Sequence, residues 1–445
     1  MFSDRRRIPL ILLLLLAVYA SPRFEGFEWF LDSWLGHAPR NFYHDEGLFF
    51  AHMRYIPLLV GLCVVLADWL AQRGSACRLP LTVPVALGGG LVAAVLFVLC
   101  RVPRTYGDFA VDAGHPPGEP SPLLELAEPL GVFALYWWYR LGLWLGVPWA
   151  MMIRAVMALY GATAITATIL WARALRAPLL IPMVCSSGFV VLWCYVEKGT
   201  PAAVAVQTWY VAATTVAILS GYAWCQVLSG ACLATAIALH GSALAWLPAH
   251  VVLLCTCRRR HALWSIAGFI AAVVVIGGGL YASGEPIGGG TLVSGVPSGN
   301  TLGFLSWSWT TNLCRRYWCC GPCGLDFFTW KHFHGVLSLL LVLAPAAVLC
   351  VPAAIVGTRD RLTIWLGCGA LGGLAFAIIW YPVFGYLGDW DIYAGVPYAL
   401  TVWAAVVAMR RLRPRSFRRL AYVWITLNAL HTIAWWQAFR SQPFM

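Results

Sequence analysis

Asp108 and Asp112 in YGDFAVD stand about one helical turn apart, so both carboxylates share a face if the segment is helical. Two close carboxylates separate in pKa, which favours one of them as a base for a hydroxyl proton. The competing role for Asp108 is to cap a turn after Gly107. A second acidic pair, Asp389 and Asp391, flanks Trp390 in GDWDIYAG. With Tyr393 it would form a polar and aromatic wall suited to a hydroxyl-rich ligand, against the simpler role of a turn at Gly388 and Asp389. The Asp-Trp-Asp spacing also permits a divalent cation, the one cofactor the residues suggest.

Other ionisable residues divide between site and scaffold in the same way. Glu128 precedes Pro129 and would either stabilise a helix N-terminus or face a substrate. Glu197 and Lys198 in YVEKG are neighbours that cannot face one another on a helix, so they would make separate contacts. The chain has only two lysines, Lys198 and Lys331, and the latter stands beside His332 and His334 in FTWKHFH. Together with Arg104 they are candidates to hold an anionic group such as a lipid phosphate, while interfacial snorkelling is the alternative. His240 in ALHGSALAW reads as a packing histidine rather than a site residue.

These residues must be carried by apolar elements. The chain is 61% apolar and 11% charged with a mean hydropathy of +0.75, too greasy for a soluble domain of its length. Runs such as 83–99 are apolar on every face, which excludes the alternation of a transmembrane β-barrel. The expected fold is all-α: a polytopic transmembrane bundle of about thirteen helices. Spans are expected at 8–20, 55–72, 82–100, 150–172, 178–195, 201–221, 224–240, 243–257, 262–282, 333–352, 362–381, 391–408 and 420–437. The first run is read as a retained helix, with a signal peptide as the lesser alternative. Gly88 to Gly90 and Gly277 to Gly279 fall inside helices and suggest close helix packing rather than a phosphate-cradling loop.

Charge gives a sidedness. With the N-terminus cytoplasmic, 18 of the 30 basic residues collect in inner turns, as the positive-inside rule requires. Fifteen of the eighteen acids then fall outside. The net charge of +12 therefore points to short cytoplasmic turns and anionic lipid heads, and nucleic acid is not an expected partner. Three outer loops are long: 21–54, 101–149 and 282–331. In the second, the aromatic stretch after Pro129 is amphipathic enough to lie in the membrane interface, as is part of the first. The third carries Cys314, Cys319, Cys320 and Cys323. Two disulfides are the preferred reading in an oxidising compartment, and a zinc site the lesser one because the spacing is irregular.

YGD in the first large acidic loop, EPL before an aromatic helix, YVE, LHGSALAWLPA and GDWDIYA together resemble the GT-C class of multispanning glycosyltransferases. More narrowly they are similar to the bacterial dolichyl-phosphate-mannose mannosyltransferase-like group, over roughly residues 91–419. The resemblance implies a polyprenyl-phosphate sugar donor, inversion at the anomeric carbon, and an acidic base in the first large outer loop, which by position is Asp108. The sequence departs from the pattern in having two helices ahead of the one leading into that loop, and in lacking the paired Asp-Glu of the mannosyltransferase branch. The expected organisation is thus a two-helix extension over 1–80 and a GT-C-like module over 81–440.

The expected function is transfer of a sugar to a glycan, lipid or protein acceptor on the extracytoplasmic side of an inner or plasma membrane. Asp108 and Asp112 are the catalytic candidates. Asp389, Asp391, Tyr393, Glu197, Lys198, Lys331, His332, Arg104 and Glu128 are the substrate-binding ones. A transporter or flippase for a lipid-linked or small polar substrate is the competing class, and a membrane assembly factor a third. The scarcity of ionisable groups deep in helices, with Arg154 and His250 the exceptions, favours the enzyme.

Overall fold

The structure is a computed structural model, and it describes residues 82–100, 129–195, 199–282, 336–337, 339–341, 343–355, 360–379 and 393–441. Every regular element among them is helical. The expected spans at 8–20 and 55–72, the extension over 1–80 and the four-cysteine loop lie outside the described residues.

α1 (Val83–Leu99) begins at Thr82, whose side chain accepts a hydrogen bond from Val85 N, and has proline in its first turn, where a missing N–H does no harm. It packs on α3 (Trp149–Ala174) through the glycine-rich run. A Cβ on Gly90 would stand 2.9 Å from Ala162 O, and Thr166 Oγ1 donates across the same contact to Ala86 O at 3.3 Å. Close backbone approach, as expected, is the use of Gly90, whereas Gly89 faces the side-chain tip of Ile169 and Gly88 meets nothing within 4 Å. The other glycine run behaves differently: Gly277, Gly278 and Gly279 meet nothing within 4 Å, so they are not packing residues among the described helices.

Between α1 and α3 lies α2 (Pro129–Leu145), the aromatic helix expected after Pro129. Its Leu135 and Trp138 cover Met152, Ile153, Val156 and Met157 of α3, and Trp138 Nε1 donates to Tyr160 Oη at 3.0 Å. Trp137 and Trp144 remain exposed, which suits a helix with one face on the bundle and one in an interface.

The expected span 178–195 is not one helix. α4 (Leu180–Cys185) stops at Ser186, a 3₁₀ turn follows over Gly188–Val191, and a last helical turn covers Leu192–Tyr195. The freed polar groups are met by α12 (Pro414–Ser441), at successive turns of one face. Trp424 Nε1 donates to Met183 O (3.1 Å), Asn428 Nδ2 to Ser187 Oγ (2.8 Å), and Thr432 Oγ1 to Ser186 O (2.8 Å). Asn428 Oδ1 also accepts from Ala346 N at 3.1 Å, in the first turn of α9 (Pro345–Ile355). In a medium without water, a break in a span persists only where the protein itself supplies these partners.

α5 (Gly199–Ser220) is the most enclosed helix, with most of its side chains buried, and it packs on α3 and α6 (Ala223–Leu239). The expected span 243–257 opens as a 3₁₀ turn over Gly241–Trp246 before becoming α7 (Leu247–Thr256). His240 is the reason: its Nδ1 accepts from Ser242 N at 3.1 Å and lies 2.7 Å from Ser242 Oγ, capping the tight turn. α8 (Arg259–Ala282) leans on α6 across a glycine pair, where a Cβ on Gly268 would fall on the Val227 carbonyl and one on Gly230 on the Ser265 carbonyl. α10 (Arg361–Ile379) and α11 (Gly395–Arg411) complete the described bundle.

Four of these helices, α3, α5, α8 and α10, are long and apolar enough to cross a membrane, which fits a polytopic membrane protein. Large apolar side chains such as Leu87, Val92, Ile270 and Val275 stand exposed on α1 and α8, where lipid tails would cover them.

Gly268→Ala is expected to lower the thermal midpoint of the purified protein in detergent, by overpacking worth roughly 1–3 kcal/mol, whereas Gly278→Ala in the same helix should leave it unchanged or raise it. Asn428→Ala, which strips partners from Ser187 and Ala346, should destabilise by about 2–3 kcal/mol in the same measurement.

Candidate functional site

Asp360 is the single acid among the described residues, and it is a cap: its Oδ1 accepts from Leu362 N and Thr363 N, both at 3.0 Å, at the start of α10. No carboxylate projects from any other described helix. Accordingly, no group of three His, Cys, Asp or Glu side chains able to hold a metal occurs among the described residues. Asp108, Asp112, Glu128, Glu197, Lys198, Lys331, His332, Arg104, Asp389 and Asp391 all lie outside the described residues, as does any cation site between the last two. Tyr393 is the one expected site residue that is described. It is fully buried, with its ring 6.2 Å from that of Phe376.

What the described residues do fix is where the chain leaves and re-enters the bundle around the acidic segments. Near the end of α1, just before the 101–128 segment, Phe97 sits with its ring centroid 5.7 Å from Trp193. Trp193 in turn donates from Nε1 to Pro201 O at 3.1 Å, which ties together the two sides of the 196–198 segment. Leu130, where the chain returns as α2, packs against Ala202 and Ala203 in the first turns of α5 and Leu239 at the end of α6. Gly395, just after the 380–392 segment, lies against Gln207 of α5, and Phe376 with Tyr393 brings together the two sides of that segment. The flanks of three acid-bearing segments therefore meet around the N-terminal half of α5.

The other end of the bundle is basic. Arg173 in the last turn of α3 and Arg176 just after it stand here, where Trp171 Nε1 of α3 donates to Thr215 Oγ1 (3.1 Å) near the end of α5. Gly221 at that end approaches His261, next to the arginine triplet 258–260. Arg411 Nη1 donates to Ala353 O at 3.2 Å beside the 410–419 arginine cluster. Arginine end and acid-flanking end are thus opposite ends of α5 and α8.

Sequence reasoning missed the polar stripe of α5. Thr200, Gln207 and Thr214 recur at heptad spacing on one face of a buried helix. Gln207 Oε1 accepts from Trp246 Nε1 at 3.2 Å, and Thr214 Oγ1 shares a 2.6 Å hydrogen bond with Ser229 Oγ. The available signal is three polar residues at heptad spacing in a largely apolar run that also holds Thr208 and Thr215. Of the two deep ionisable groups expected, Arg154 is exposed on α3. His250 is buried, with its Nδ1 3.3 Å from Tyr210 Oη and the rings of Tyr210 and Phe269 beside it.

Compared with known proteins, the chain matches no family model, and no curated protein is significantly similar to it.

The two ends of the bundle are expected to face opposite sides of a membrane. Single-cysteine variants keeping Cys257 or carrying Tyr281→Cys, which mark the two ends of α8, are expected to react with an impermeant maleimide from opposite faces of sealed, oriented vesicles. Reaction of both from one face would contradict the placement of the two ends on opposite sides.

Proposed function

We propose that the chain is a GT-C-type membrane glycosyltransferase that moves a sugar from a polyprenyl-phosphate donor to a glycan, lipid or protein acceptor. The observation that supports this reading most is the meeting of the flanks of three acid-bearing segments around the first half of α5, at the end opposite the arginines. An enzyme working at that end has no access to cytosolic nucleotide sugars if the arginine end is cytoplasmic, so a lipid-borne donor supplies the activated group.

In this reading Asp108 takes the proton of the acceptor hydroxyl as its oxygen bonds to the anomeric carbon, with Asp112 nearby. The bond from that carbon to the phosphate oxygen breaks, and the electron pair leaves with the polyprenyl phosphate. Arg104, Lys198, Lys331 and His332 stabilise the departing charge. Asp389, Asp391, Tyr393, Glu197 and Glu128 bind the sugar or position the acceptor, and a divalent cation between Asp389 and Asp391 would assist the phosphate. The membrane is an inner or plasma membrane, with the N-terminus cytoplasmic and the working face extracytoplasmic.

A specific observation favours a second reading. The buried Tyr210–His250 pair sits midway along α5 and α7, where a transporter or flippase would keep a polar contact for its cargo.

The test is transfer of radiolabel from a panel of polyprenyl-phosphate sugars by purified protein in lipid. Wild type is expected to label an acceptor, and Asp108→Asn to lose at least about a hundredfold in rate. Unchanged transfer by Asp108→Asn would remove the assignment of the base. Movement of label across proteoliposomes with no covalent transfer would replace the enzyme by the transporter.

A further inference from the structure

The stripe on α5 has a loose end. Gln207 is 1% exposed, and its amide orientation is fixed by Trp246, whose Nε1–H can only donate and therefore faces Oε1. Nε2 with its two hydrogens is turned away from that bond and has no hydrogen-bond partner among the described residues. Gly395 passes directly against the amide, since a Cβ there would stand 2.9 Å from Oε1 and 3.3 Å from Nε2, so this approach needs glycine. About 10 Å farther along the same face, toward the N-terminus of α5, Thr200 is 0% exposed and its Oγ1 is likewise unpartnered. Thr214, on the basic side, is satisfied by Ser229. The stripe's polar atoms are thus partnered in its basic half and, among the described residues, incompletely partnered in the half where the acidic segments' flanks meet.

Buried donors without partners are unfavourable, and most so in a bundle surrounded by lipid. A leucine at 207 would remove the unpartnered Nε2 donors, although it would also take the acceptor from the Trp246 indole N–H. The surroundings also say what kind of oxygen would satisfy the amide. Gln207 touches Trp246 and Gly395, and Trp246 is ringed by Tyr210, Trp365 and Tyr398. A phosphate would call for a cation or several convergent donors, whereas a neutral amide set among aromatic rings matches the hydroxyls and apolar faces of a sugar.

We propose that Gln207 binds the sugar carried by the lipid donor, its Nε2–H donating to a sugar hydroxyl oxygen, with Thr200 as the next polar contact toward the acidic end. This rests on the glycosyltransferase reading of the same site.

The experiment compares the thermal shift given by short-chain polyprenyl-phosphate sugars with that given by bare polyprenyl phosphate, using the full-length protein in detergent. Wild type and Asp108→Asn are expected to be stabilised more by a glycosylated lipid than by the bare one. Gln207→Leu is expected to fold, to respond to the bare lipid as wild type does, and to lose the preference for sugar. Gln207→Glu keeps an acceptor for Trp246 and replaces the two amide donors by at most one carboxyl hydrogen, so it should weaken the preference, and it decides the matter if the leucine variant does not fold. In the transfer assay Gln207→Leu should raise KM for the donor about tenfold or more, as loss of one well-placed hydrogen bond requires, with a smaller effect on kcat.

A wild-type sugar preference retained in both Gln207 variants overturns the proposal. So does a wild type with no preference, although Asp108-dependent transfer would in that case preserve the enzyme reading. A preference that depends on Gln207 in a protein that transfers nothing supports the sugar site and overturns the enzyme.

Discussion

Hydrocarbon offers no hydrogen bonds, and this constraint organises the bundle. Where the span over 178–195 breaks at Ser186 and Ser187, the polar groups do not turn to solvent but to one face of α12, through Trp424, Asn428 and Thr432. His240 closes the tight turn before α7 with its own ring nitrogen. Helices approach through glycine, as at Gly90 and Gly268, so that backbones rather than side chains fill the contact. Among the described residues the exceptions are few and buried: Nε2 of Gln207 and Oγ1 of Thr200 on α5, with Gln226 Oε1, Ser265 Oγ, Trp365 Nε1 and Thr401 Oγ1 elsewhere in the bundle.

The same constraint explains where charge is found. Carboxylates are costly in hydrocarbon, and the single described one caps a helix at the arginine end. All the other acids lie in the sequence before or between the described helices, and what the helices contribute is the placement of those segments' ends. Phe97 against Trp193, Leu130 against the start of α5, and Gly395 against Gln207 do that for three of them. A lipid head group and a hydroxyl acceptor could meet such a site from the membrane surface, which is the arrangement a lipid-linked sugar transferase needs.

Much of the helical layout is legible in the residues alone. The spans expected at 82–100, 150–172, 201–221 and 262–282 match α1, α3, α5 and α8 closely, because long apolar runs bounded by Pro, Gly and Arg leave little choice of length or type. The breaks are not legible. An apolar string does not say whether its hydrogen-bond ladder is continuous, and the partners that stabilise the break at Ser187 lie more than two hundred residues away on α12. α12 itself starts at Pro414, ahead of the expected 420, since its arginine-rich first turns are helical without being apolar. Of the expected site, Tyr393 alone is described, fully buried with its ring beside that of Phe376. A lone amide in a greasy run reads as packing, which hides Gln207 in the sequence. Its heptad relation to Thr200 and Thr214 is the available clue.

If the glycosyltransferase reading holds, the acidic segments surround one cavity against the incompletely partnered half of the α5 stripe. An experimental structure in a lipid nanodisc with a bound polyprenyl-phosphate sugar decides this. The sugar is expected between Gln207 and Tyr393, with the carboxylates of Asp108, Asp389 and Asp391 around the same cavity and the arginine end on the opposite side of the bilayer. Asp108 remote from Asp389 and Asp391, or a donor seated away from α5, would contradict it.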